Sequence, residues 1–100
     1  MGLIKEGHNL FVIDIDYVVP LDQVQPHIEP HLSFVRAQYD AGVFLMSGPK
    51  EPRTGGVVIA AAPDRATIEA IVAQDPFTAA KVMRCTITEF KGSNMADALK

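Results

Sequence analysis

Cysteine is nearly absent: Cys85 is the single one in 100 residues. No internal disulfide can form, and a reducing, cytoplasmic setting is the expectation. A basic excess is missing as well. Nine Lys and Arg against twelve Asp and Glu leave a net charge of −3. With no basic run, the chain lacks the electrostatic footprint of a nucleic-acid binder. No stretch approaches the roughly 20 apolar residues a membrane span needs, and the first eight residues lack the apolar core of an export signal. A soluble protein with no membrane partner is therefore expected. Internal repeats and low-complexity segments are also lacking.

What the chain has is apolar material, 48% of its residues. That is enough for one core, and a single domain over residues 1–100 is expected, with its core over about 9–90 and a tail over 91–100. It is more than a small monomer needs, which raises a buried subunit interface.

The organising stretch runs from His31 to Pro49. Leu32, Phe34, Val35 and Tyr39 recur at three- and four-residue steps, the buried stripe of an amphipathic helix. Gly42 supplies a left-handed stop, and Val43-Phe44-Leu45-Met46 then reads as a strand closing on Ser47-Gly48-Pro49. Upstream, Asn9 to Tyr17 places Phe11, Ile13, Ile15 and Tyr17 on one side and Leu10, Val12, Asp14 and Asp16 on the other, as a strand does. Pro20, Pro26 and Pro30 break up the connection. Pro30 suits a first helical position, with His31 in the first turn.

Downstream, residues 48–56 form a Gly/Pro-rich loop, and Val57 to Ala62 is apolar throughout, the pattern of a strand covered on both faces. Asp64 is placed to cap a helix over Ala66 to Ala73, Asp75 to cap a short turn begun by Pro76, and Val82 to Phe90 forms the last strand. The tail from Gly92 has no clear anchor. The order β-α-β-β-α-β predicts a ferredoxin-like α+β sandwich, an antiparallel sheet with both helices on one face. The apolar strand at 57–62 would then leave a large patch on the other face, so pairing of sheets in a homodimer is expected.

Five short signatures stand in order along this frame: Pro30-His31-Leu32, Ala41-Gly42, Ser47-Gly48-Pro49, Pro52-Arg53-Thr54-Gly55-Gly56 and Asp75-Pro76-Phe77. Together they resemble the YciI-like (YCII-related) family of dimeric α+β barrels, from Phe11 to Phe90. The resemblance implies a cleft holding His31 and Asp75. It also implies a cofactor-free lyase activity on a small aromatic substrate, elimination of HCl from a chlorinated hydroxyhydroquinone. Related barrels include muconolactone isomerases, so proton transfer without dehydrochlorination is an alternative, and a non-catalytic binding module is another. Some relatives carry an Arg shortly before the His. Here the segment reads Gln25-Pro26-His27-Ile28-Glu29-Pro30, and an anion-binding role must rest elsewhere.

Each candidate has a plain reading and an active one. A first-turn histidine can simply pack, yet imidazole titrates near pH 6.5 and suits His31 to take a hydroxyl proton. Asp75 can cap a helix and also hold that imidazole in one tautomer. Ser47 and Arg53 are candidates to bind a phenolate, carboxylate or halide; the plain reading is a turn residue and a solvated charge. Asp14 and Asp16 share a strand face that can look toward the cleft, although strand-end aspartates facing water are commoner. His27 and His31 invite a metal reading, but Glu29 is displaced by one position from the zincin pattern, and no metal is expected. Gly55 and Gly56 serve backbone geometry. Cys85 is expected to be a small core residue, and Tyr39 and Phe44 core or interface residues.

Overall fold

The computed structural model describes residues 4–100. Four strands, β1 (Asn9–Tyr17), β2 (Phe44–Pro49), β3 (Gly55–Ala62) and β4 (Met83–Phe90), form one sheet in the order β2-β3-β1-β4. All three pairings are antiparallel. Four helices join them: α1 (Leu21–Val24), α2 (Ile28–Asp40), α3 (Arg65–Val72) and α4 (Pro76–Ala80). This is the ferredoxin-like α+β sandwich that the element order predicts, with β1 and β3 central because a split β-α-β unit inserts one strand between two others.

Register explains which residues are core. Phe11 pairs with Ala60, Ile13 with Val58 and Ile87, and Ile15 with Cys85. Directly opposite residues share a face, so these line the helix side of the sheet. There they meet Val35 of α2 and Ile68 of α3 in one cluster. A second cluster, Val24, Phe77 and Val82, packs α1 against α4. The other sheet face is thinly covered. Val12, Val57 and Ile59 are half-buried, and Met46 and Phe90 are 68% and 44% exposed.

Several boundaries differ from expectation. The proline-rich connection is itself helical, α1 running through a 3-10 turn (Gln25–His27) into α2. Thus α2 starts at Ile28, and Pro30 is its third residue rather than its first. Nothing is lost, because the first four helical N–H groups have no intrahelical acceptor for proline to forfeit. Similarly, β3 begins at Gly55, since pairing with Asp16 extends the ladder through two glycines that composition assigns to a loop. Gly42 has the left-handed φ of 78° that ends α2.

Asp64 caps α3, accepting from the Thr67 N–H at 2.8 Å and the Thr67 hydroxyl at 2.7 Å. These bonds, the hydroxyl's foremost, hold its carboxyl below the usual carboxylate range. A carboxyl whose folded value is depressed stabilises the fold above its unfolded value, about 3.9, and that contribution disappears as pH falls through the folded value. Asp64→Ala is therefore expected to lower the melting temperature at pH 7. The gap from wild type should narrow below about pH 4; an unchanged gap at pH 3 would refute the assignment.

Candidate active site

The site is assembled from two distant turns and one sheet edge. In the first turn of α2, His31 turns its imidazole toward the start of α4, and its Nδ1 lies 2.8 and 3.0 Å from the two carboxylate oxygens of Asp75. Asp75 is the buried charged residue among those described, 4% exposed. One of its oxygens also accepts the Phe77 N–H at 2.9 Å, so cap and histidine partner are the same group. A burial of this kind is tolerated because both oxygens are occupied. A carboxylate only accepts, so Nδ1–H is the donor of this bond, and in the neutral imidazole Nε2 is then the ring nitrogen with a lone pair. Phe77 closes the arrangement, its ring stacked on the imidazole with centroids 3.9 Å apart and planes 5° from parallel.

His31 lines a cavity of about 210 Å³ between α2 and the β2–β3 edge of the sheet. Ile15, Val35, Val58 and Phe77 supply apolar walls, and Tyr17, Ser47 and Arg53 bring polar groups to it, with Gly55 and Gly56 at the start of β3. Among the described residues, His31 and Arg53 are the basic groups that line the cavity, and no carboxylate lines it. The Ser47 hydroxyl is hydrogen-bonded to the Tyr39 hydroxyl. Tyr39 in turn rests its ring edge-on against the buried Phe44, centroids 6.4 Å apart.

Asp14 and Asp16 are not brought to this cavity, contrary to the expectation that their strand face looks toward the cleft. Ile13 and Ile15 point to the helix side, so the aspartates between and beyond them point to the other. There Lys50 bridges both, 2.5 Å from Asp14 and 2.7 Å from Asp16. The pairing, through the Lys50 hydrogen bond first, lowers the Asp16 carboxyl's pKa and raises that of the Lys50 ammonium. Cys85 lies on the helix side of β4, packed on the core, and burial pushes its thiol up, with the charges of Asp75 and Asp14 adding to the effect. A thiol so placed is a poor nucleophile near neutrality.

Sequence reasoning missed three contacts, two of them at the cavity and one on the other face of the sheet. Lys50 gives no signal of its aspartate partners because they lie two strands away. The Tyr39–Ser47 bond joins the end of a helix to a strand across a turn. Phe77 sits inside a recognised motif, but only folding sets its face against His31.

The chain is thus an antiparallel α+β sandwich of the ferredoxin-like kind, with a His–Asp pair beside a largely apolar cavity. The chain belongs to the YCII-related domain family, whose model matches residues 8–91. No curated protein sequence matches it. Among solved structures, it is similar to the 5-chloro-2-hydroxyhydroquinone dehydrochlorinase TftG of Burkholderia phenoliruptrix AC1100, in complex with 2,5-dihydroxybenzoquinone. The two share 20% identity and a TM-score of 0.72, over 82% of this chain and 93% of that one. It is also similar to SnoaB, a cofactor-independent oxygenase of Streptomyces nogalater, at 13% identity and a TM-score of 0.53 over 90% of this chain and 97% of that one. At these identities the likeness concerns the fold.

Proposed function

We propose that this protein is a small cofactor-free lyase that eliminates HCl from a chlorinated hydroxyhydroquinone-type ring, with His31 as acid/base and Asp75 as its partner. The observation that carries the reading is the bond from His31 Nδ1 to a buried carboxylate at 2.8 Å beside an apolar cavity. An apolar cavity of about 150 Å³ accepts benzene. A single substituted ring therefore suits the space beside His31, which is about 210 Å³.

In this mechanism Nε2 takes the proton of a ring hydroxyl, and Asp75 stabilises the imidazolium. The imidazolium returns a proton to the ring carbon that bears chlorine, which becomes tetrahedral. Loss of a second hydroxyl proton then forms a new ring double bond, and the C–Cl pair departs as chloride. Two O–H protons are lost, one C–H bond is gained, and HCl is released with a hydroxyquinone. The electron pair the triol gives up on becoming a quinone leaves with chloride, so the reaction needs no external oxidant. Arg53 and Ser47 are the binding groups for the phenolate oxygens.

The test is anaerobic incubation of the protein with 5-chloro-2-hydroxyhydroquinone, following chloride by electrode and the quinone by absorbance. Equal release of both is the expected result. Binding without chloride would replace this reading with the non-catalytic one, and isomerisation of a lactone instead would place the same proton transfer on another substrate.

The reading also takes the active unit as a homodimer joined through the sheet faces that carry Val12, Val57, Ile59 and Met46. Burying such a face contributes roughly 25 cal/mol per Å² of apolar area. Sedimentation equilibrium is expected to give twice the chain mass, and Ile59→Lys to give monomers, since an ammonium between Val12 and Met46, the apolar part of that face, would be buried there unpaired. A monomeric wild type at micromolar concentration would overturn this part.

A further inference from the structure

We infer that Phe77 is the positioning residue of the His31 imidazole, holding the ring by its face while Asp75 holds it by its edge. The inference rests on the acid/base reading of His31 given above. Two contacts on one ring come from one turn of chain. Asp75 binds Nδ1, and Phe77, two residues on, stacks at 3.9 Å with planes 5° apart. The turn cannot loosen one contact without the other, because the Phe77 N–H donates to an Asp75 oxygen at 2.9 Å.

Phe77 is itself held. It is 2% exposed, packs with Val24 and Val82, and takes the edge of Tyr17 at right angles, centroids 5.9 Å apart. Tyr17 and Phe77 thus form a rigid backing for the imidazole.

The stack has an electrostatic sense as well. The stack of Phe77 on the imidazole, centroids 3.9 Å apart, sets a phenyl face against the imidazolium that the mechanism passes through, and a cation over such a face is attracted. The stack also fixes the ring plane, so that Nε2 meets substrate rather than sweeping through an arc. Edge and face contacts together leave the imidazole one orientation, where the carboxylate alone would leave rotation about the Nδ1–oxygen line.

The experiment reads the ring directly, by proton NMR of the Nδ1–H resonance of His31 in the ligand-free protein, and then by steady-state kinetics. In Phe77→Leu, exchange of that proton with water is expected to rise at least tenfold. The kcat for chloride release should fall about fivefold with KM little changed, as expected for a contact strongest in the charged intermediate. Phe77→Tyr keeps the face and should restore both. Pentafluorophenylalanine at position 77 keeps the shape and reverses the ring's charge distribution, so it should lower kcat while the melting temperature holds. That variant serves if Phe77→Leu does not fold. Exchange unchanged in a folded Phe77→Leu, or kcat unchanged with the pentafluoro ring, would overturn the assignment. The NMR readout needs no turnover. A rise in exchange without chloride release from wild type would sustain the positioning role and refute only the dehydrochlorinase reading.

Discussion

His31→Ala is expected to lower chloride release by about 10² to 10⁴, the usual contribution of a positioned acid/base group, while the protein stays folded. The histidine side chain is 14% exposed, at the edge of a cavity rather than in the central cluster. Its removal, however, leaves the Asp75 carboxylate with one partner fewer at a buried site, which costs roughly 1–3 kcal/mol. Melting and activity therefore separate: a modest drop in melting temperature and a collapse of kcat. His31→Gln provides the control, since its amide can still donate to Asp75 but cannot cycle a proton near neutrality. Equal losses of kcat in the two variants, with Gln the more stable, are the predicted result. Turnover within twofold of wild type in either variant would remove His31 from the mechanism.

Gly55→Ala is expected to have the largest effect on stability of any small substitution in the sheet. A methyl group built on Gly55 would lie 1.8 Å from the Ile15 carbonyl oxygen, 2.8 Å from its carbon and 3.1 Å from the Asp16 Cα. Carbon and oxygen do not approach below about 3.3 Å without strain, so the two central strands would have to part by more than an ångström. All three obstacles are backbone, and Ile15 is 3% exposed in the core cluster, so no flexible side chain can yield. Overpacking of this kind costs about 3 kcal/mol, and in a domain this size each kcal/mol lowers the melting temperature by roughly 4–8 °C. A fall of at least about 12 °C follows. Gly48 provides the contrast. Also at the cavity, it has no heavy atom within 4 Å of an added methyl group. Gly48→Ala should therefore melt within a few degrees of wild type. Calorimetry of both variants decides the matter, and a Gly55→Ala melt close to wild type would mean that the β1–β3 register at Gly55 is wrong.

The same two glycines show how sequence and structure divide the information. Both stand in Gly/Pro-rich surroundings that read as a loop, and both in fact pair within strands, Gly48 with Val57 and Gly55 with Asp16. Composition records local flexibility, whereas a ladder depends on a partner strand far along the chain. Pro30 makes the complementary point. Its ring fits any of the first helical positions, so the sequence places a helix start near it without choosing among them.

Local patterns were sufficient for much of the rest. The alternation of Asn9 to Tyr17 names the core face of β1, and Phe11, Ile13 and Ile15 are buried there. Asp64 and Asp75 can be read as caps because capping is a contact between near neighbours, and both cap as expected. The motif Asp75-Pro76-Phe77 marks a capped turn, but only the family resemblance pairs Asp75 with His31; spacing along the chain contains no such information. Asp14 and Asp16 illustrate the limit. Their shared face is legible, but which face of the sheet the helices cover is decided by the apolar majority on the other side.

By itself, then, the sequence determined the element order, the antiparallel α+β class, the core face of the first strand and the two helix caps. Each follows from interactions within a few residues or from a period of two or three to four. Only the tertiary structure decided that Lys50 belongs to Asp14 and Asp16, that Gly55 is wedged against Ile15, and that Phe77 lies flat on an imidazole gripped by Asp75. Those contacts join residues whose separation along the chain is large. The first two follow from the register in which β2, β3 and β1 pair, and the third from burial of the helix face of the sheet, which brings α2 and α4 together; no local pattern encodes where such elements meet.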